Sequence, residues 1–169
     1  MYESIKYVKF QTDVMKDYDK KRIRSAAFPW RLVNFDSYEQ KSQGITNGNF
    51  IMFIPEDMFF LDRKKLFKGD PMNANTLMDT FIRNANKAFN TGIVQDAFKD
   101  LKKFRLRQIK IDNPNCEMMF IDDALASKYF DLTVCSLKAV DDKSPLLLYE
   151  GDILTGLIMP VNYHSYNSN

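Results

Sequence analysis

The chain has 169 residues, 45% of them hydrophobic and 27% charged, with six glycines and six prolines. That is a globular composition, and it excludes overall disorder, collagen-like repeats and Gly/Pro-rich low complexity. Lys and Arg number 24 against 22 Asp and Glu, a net charge of +2 that does not by itself argue for nucleic-acid binding.

Residues 4–61 read as mainly β. Ile5 to Phe10 alternate loosely, and Trp30 to Tyr38 is rich in aromatic and branched residues. Asn49 to Ile54 is an apolar run ended by Pro55, which is the pattern of a buried strand. Gly44 and Asn47-Gly48 supply turn chemistry before it, because Asn-Gly readily takes positive φ.

Residues 62–104 read as helical. Leu77, Met78, Phe81, Ile82, Ala85 and Phe89 fall at helical spacing after start signals at Asp70-Pro71 and Asn75. Asn90-Thr91-Gly92 breaks that pattern, and Ile93, Val94, Ala97, Phe98 and Leu101 begin a second one. Phe81, Phe89, Phe98 and Leu101 are the expected core of this middle section.

Residues 105–161 return to strands. Leu106 to Ile111 and Glu117 to Ile121 read as a hairpin around Asp112-Asn113-Pro114-Asn115. Asp122 caps a helix over 123–130 with Ala124, Leu125 and Tyr129 inward. Thr133 to Ala139, Pro145 to Glu150 and Ile153 to Met159 are three further strands, with turns at Asp141-Asp142-Lys143 and Gly151-Asp152. Residues 162–169 form a polar tail.

Enzymatic signatures are sparse. Two cysteines (Cys116 and Cys135) and one histidine (His164) cannot furnish a disulfide framework or a four-ligand zinc centre. The cysteines read as small core hydrophobes, and His164 as a solvated tail residue. The pairs Glu56-Asp57, Asp122-Asp123 and Asp141-Asp142 suit caps and turns better than a metal site. No glycine-rich phosphate loop occurs. No catalytic residue, cofactor or metal is therefore assigned. No stretch approaches the length of a membrane span, and MYESIKYVKF lacks the apolar core of a signal peptide. A reducing cytoplasm is the expected location.

Basic clusters are the most suggestive chemistry. One is Lys20-Lys21-Arg22-Ile23-Arg24. A second is Arg63-Lys64-Lys65-Leu66-Phe67-Lys68. The third is Lys99, Lys102, Lys103, Arg105 and Arg107, with Arg83 and Lys87 before it. Such runs suit phosphate contacts that release counterions. Asp17, Asp19, Asp62 and Asp100 dilute them, and a solvated face is the competing reading. Phe59, Phe60 and Phe67 interleave with the second cluster as a stacking surface for single strands would, or else belong to the core.

Four segments resemble a domain of the DNA sliding clamps, the processivity rings of replication. Phe120-Ile121-Asp122-Asp123-Ala124-Leu125-Ala126-Ser127-Lys128-Tyr129 resembles the passage from a strand into a clamp domain's second helix. Ser144-Pro145-Leu146-Leu147-Leu148 is similar to a late strand, and Leu157-Ile158-Met159-Pro160-Val161 to the terminal strand. Gly44-Ile45-Thr46-Asn47-Gly48-Asn49-Phe50 is similar to a strand turn in the first half. The resemblance covers about 105–161 well, 30–54 thinly and 62–104 not at all. It implies helices that face duplex phosphate without reading bases, with Lys128 on the matched helix. It also implies an apolar peptide groove at Met159, Pro160 and Val161.

The expected fold is thus α+β, with mostly antiparallel sheets and helices packed on one side. One clamp-like domain is expected over 1–161, with a helical insertion near 62–104. The leading functional expectation is a non-enzymatic DNA-replication or mobile-element accessory protein. Its partners would be DNA, bound independently of sequence, or replication or host-defence proteins, with no membrane; homo-oligomerisation stays open. Two alternatives remain: a protein-interaction module such as a phage or plasmid inhibitor of a host machine, and a small enzyme with an unrecognised site.

Overall fold

The computed structural model describes residues 2–24, 27–36, 41–73, 89–90, 93–100, 105–114 and 118–161. The fold is α+β, and the chain divides into two compact units, residues 1–78 and 79–169.

The first unit opens with α1 (Tyr2–Arg24) rather than the strand expected at Ile5 to Phe10. Tyr7, Phe10 and Val14 are buried together with Gln11, which is the i, i+3, i+4, i+7 stripe of an amphipathic helix. The polar Gln11 interrupts the apolar signal, so the stripe reads from sequence as a loose alternation. Three strands follow: β1 (Arg31–Asp36), β2 (Lys41–Thr46) and β3 (Phe50–Pro55). They form an antiparallel meander, and β4 (Met72–Asn73) adds a short parallel pairing to β1. All five residues from Phe50 to Ile54 are buried, so β3 is covered on both faces, as its unbroken apolar run predicts.

Phe10, Trp30 and Phe50 hold α1 on this sheet. Their centroids lie 5.3–5.8 Å apart with edge-to-face geometry, an arrangement that aligns ring edges with ring faces. The Trp30 indole N–H donates to Asp17 Oδ2 at 2.9 Å, which satisfies its polar end. Beneath the helix, the Gln11 amide donates to the Met58 carbonyl at 3.0 Å. It accepts from the Phe60 N–H at 2.9 Å. Gln11 is fully enclosed, and this exchange satisfies both backbone groups of the chain just after β3.

Asn47-Gly48 forms the expected turn, with Gly48 at φ 96°. Gly44 has a different role from the turn expected of it. It lies inside β2, where an added Cβ would come within 2.9 Å of the Val33 carbonyl oxygen and 3.2 Å of Ile51 Cγ2.

In the second unit, β6 (Ile93–Asp100) is a strand where a helix was expected. It pairs with β7 (Arg105–Lys110), and β7 pairs with β8 (Met118–Asp122), both antiparallel. A bulge in β6 between Val94 and Phe98 sets them opposite Ile109 and Arg107. The pairs Ile93-Val94 and Ala97-Phe98 recur four residues apart, an interval common to a helix face and a strand face, so the period alone does not separate the two. The helix expected from Leu77 to Phe89, with Phe81, lies outside the described residues except for its end, as does Leu101. Phe89 belongs to the strand β5 (Phe89–Asn90) and not to a helix, and Phe98 lies on β6.

β8 leads directly into α3 (Asp123–Tyr129), whose N-cap Asp122 accepts from the Leu125 N–H at 3.1 Å, as expected. Ala126 and Tyr129 are its buried residues; Ala124, expected inward, is exposed. β9 (Ser136–Ala139), β10 (Leu146–Glu150) and β11 (Ile153–Ile158) form a second antiparallel meander, and β5 extends it beside β9. A bulge near Thr155 interrupts the β10–β11 ladder, and the Thr155 hydroxyl donates to the Leu148 carbonyl there.

Two substitutions test this packing, both read by chemical denaturation followed through the lone tryptophan, Trp30. Gly44→Ala should destabilise by about 1–3 kcal/mol through overpacking against backbone. Gln11→Leu should cost about 1–3 kcal/mol, because it leaves the part-buried Met58 carbonyl and Phe60 N–H without this partner. A loss below about 0.5 kcal/mol in either variant, the range of an ordinary surface change, would refute the corresponding contact.

Candidate nucleic-acid interface

In the cluster closing α1, Lys20 meets Asp17 and Arg22 meets Asp19 along the helix, and Lys16 just before it meets Asp13, each at i, i+3 and 3.4–3.8 Å. These are exposed pairs of small energetic weight. Lys21 lies 5.9 Å from the Phe28 ring centroid.

The second cluster sits on α2 (Arg63–Leu66), a single turn capped by Asp62, which accepts from the Lys65 N–H at 3.0 Å. Arg63 is held on three sides. Its Nε donates to Gln43 Oε1 at 3.2 Å, and its Nη2 pairs with Glu56 Oε2 at 2.7 Å. Its guanidinium carbon lies 4.0 Å from the Phe59 ring centroid. Gln43 is itself buried and donates to the Val33 carbonyl at 2.9 Å. Arg63 thus locks the turn after β3 onto β2, while Lys64, Lys65 and Lys68 remain exposed. Of the interleaved aromatics, Phe67 is core, Phe59 carries Arg63, and Phe60 is 51% exposed.

Among the described positions of the third cluster, 105 and 107 share one face of β7 and position 99 does not join them. Lys102, Lys103, Arg83 and Lys87 lie outside the described residues. Position 99 falls on β6 opposite Leu106, and opposed residues share a face, so it stands across the sheet from positions 105 and 107. Lys99 is therefore on a strand and not at the helix end expected for it. Arg105 is exposed. Arg107 is mostly enclosed and donates from Nε to Asp123 Oδ1 at 2.8 Å, with both side chains under a fifth exposed. Asp123 also accepts from the Ser127 hydroxyl at 3.2 Å, so Arg107 fastens the first turn of α3 to β7. Lys128 is exposed near the end of α3, 5.1 Å from the Tyr129 ring centroid.

Beyond β11, the Val161 N–H donates to the Phe120 carbonyl at 2.8 Å, which brings the chain back beside β8. Met159 is 41% exposed there, while Pro160 and Val161 are half-buried. Val134 and Ile153 add exposed apolar surface to the same unit.

The acidic pairs act mainly as caps and turns. Asp141 accepts from the Lys143 and Ser144 N–H groups at 2.9 and 2.6 Å. Burial opposes its ionisation, yet these hydrogen bonds prevail and hold its carboxyl below the ordinary value. Hydrogen bonds from Thr133 likewise lower Asp131. Among the described residues, no group of three or more His, Cys, Asp or Glu could hold a metal ion, and no helix is long and apolar enough to cross a membrane. Cys135 is half-buried, and Cys116 and His164 lie outside the described residues.

The positioning roles of Gln11, Gln43 and Asp123 have no motif in the sequence. Gln11 would have been legible only with α1 read as a helix. Comparison with family models, curated proteins and solved structures finds no match to this chain.

A double-mutant cycle on Arg107→Gln and Asp123→Asn should give a coupling of about 1–2 kcal/mol in denaturation, above the ~0.5 kcal/mol common for exposed pairs. A coupling near zero would remove the tie between β7 and α3.

Proposed function

We propose that this chain is a non-enzymatic, cytoplasmic accessory protein of DNA replication or of a mobile element, with a sliding-clamp-like organisation, that contacts duplex phosphate without reading bases. The observation that carries the reading is a repeated arrangement. α1 is followed by the meander β1–β2–β3, and α3 by the meander β9–β10–β11. This suits the β-rich halves that the resemblance implies.

The resembling segments also fall on suitable elements. Phe120 to Tyr129 is a strand running into a capped helix, and Leu146 to Leu148 opens β10. Leu157-Ile158 closes β11, and Gly44 to Phe50 spans the β2–β3 turn. In this reading Lys64, Lys65, Arg105 and Lys128, with Lys102 and Lys103, face phosphate. Arg63 and Arg107 hold the frame. Met159, Pro160 and Val161 provide the docking point for peptides of replication partners.

Duplex binding measured as a function of salt tests it. Log affinity should fall linearly with log salt at about −0.9 per phosphate contacted. Lys102→Glu with Lys103→Glu should weaken binding equally for unrelated sequences and flatten that slope by roughly 1.8. No retention of duplex at about 50 mM salt, where such contacts are strongest, would overturn the DNA reading. The interaction-module alternative would then stand on the exposed Val134, Ile153 and Met159.

A further inference from the structure

The segment after β3 presents an aromatic ring on a braced backbone. Met58 and Phe60 are 37% and 51% exposed. Here the backbone beneath them is fixed from inside, because the enclosed Gln11 amide donates to the Met58 carbonyl and accepts from the Phe60 N–H. The neighbouring ring, Phe59, carries the Arg63 guanidinium at 4.0 Å. Phe60 has no ring contact among the described residues.

The charge of the same segment is one-sided. From Met58 to Lys68 the basic residues are Arg63, Lys64, Lys65 and Lys68, and the lone acidic residue is Asp62. Asp62 is engaged as the cap of α2, and the adjacent Glu56 is engaged by Arg63. Asp57 and Asp70 lie beyond the two ends. Lys64, Lys65 and Lys68 are exposed.

From these observations we infer that Phe60, with Lys64 and Lys65, forms a contact for single-stranded nucleic acid. A base stacks on the Phe60 ring, and the flanking phosphates meet the lysines. Single-strand platforms combine an aromatic face, which every base can stack on, with cations that follow the backbone. The braced backbone limits the ordering needed on binding. A sheet-edge or peptide-groove mode would need unpaired strand groups or a continuous apolar trough, whereas Phe60 is the one exposed ring of this segment and stands near lysines in the chain. The inference rests on the nucleic-acid reading above and deepens it, adding a single-strand contact in the first unit to the proposed duplex contact.

The test uses the full chain, a fluorescent oligothymidylate of about 16 nucleotides and a duplex of unrelated sequence, both at roughly 50 mM salt. Phe60→Ala should weaken oligothymidylate binding about 5-fold or more and leave duplex binding unchanged. Phe60→Trp should restore it. Lys64→Gln with Lys65→Gln should flatten the single-strand salt slope by about 1.4. Thermal melting of each variant should match the parent, because these side chains lie at the surface. Unchanged oligothymidylate affinity in Phe60→Ala, with duplex still bound, overturns this inference alone. Phe60-dependent single-strand binding without duplex binding supports it and overturns the duplex reading. Failure to bind either nucleic acid overturns both. Binding to vesicles of anionic phospholipid that Phe60→Ala abolishes, with oligothymidylate affinity unchanged, would overturn it in favour of a lipid surface.

Discussion

The edge-to-face cluster of Phe10, Trp30 and Phe50 is the contact on which the first unit depends. A free helix of this composition would be marginal in water, since most helical stability in proteins comes from packing one face. The cluster supplies that face. With α1 seated, Gln11 reaches the chain after β3, and that chain carries the turn on which Arg63 sits. Arg63 then returns to the sheet through Gln43. The sequence of dependence runs from three rings to two buried amides to one arginine, and each member fixes the backbone of the next.

How much of this was legible in the sequence follows from how local each signal is. β3, the Asn47-Gly48 turn and the Asp122 cap were readable because each rests on neighbouring residues alone. α1 was misread because Gln11 occupies its buried stripe, so the apolar period is broken by the very residue that does the bridging. β6 was misread for a different reason. Its apolar residues recur as the pairs Ile93-Val94 and Ala97-Phe98, a four-residue spacing that a helix face shares with a strand. Gly44 shows a third limit: its glycine looked like turn chemistry, but the cause is a carbonyl contributed by β1.

The candidate interface was legible in composition but not in availability. A run of basic residues does not say which of them are already engaged. Arg63 and Arg107 are each members of a basic cluster, and both are committed to carboxylates that tie elements together. Arginine suits that role because its planar fork can meet several partners at once. Lys64, Lys65 and Lys68 around Arg63, and Arg105 beside Arg107, are left outward. Exposed cation density is therefore lower than the sequence suggests.

The Gln11 amide also sets the alignment of α1 along its axis. It must meet a carbonyl with its nitrogen and an amide hydrogen with its oxygen. A carboxylate has no hydrogen to give, and a shorter amide places both atoms elsewhere. Sliding α1 by one residue turns the side chain through roughly 100° and carries it off both partners. One residue thereby works as a key, and α1 has a single permitted rotation and height above the sheet.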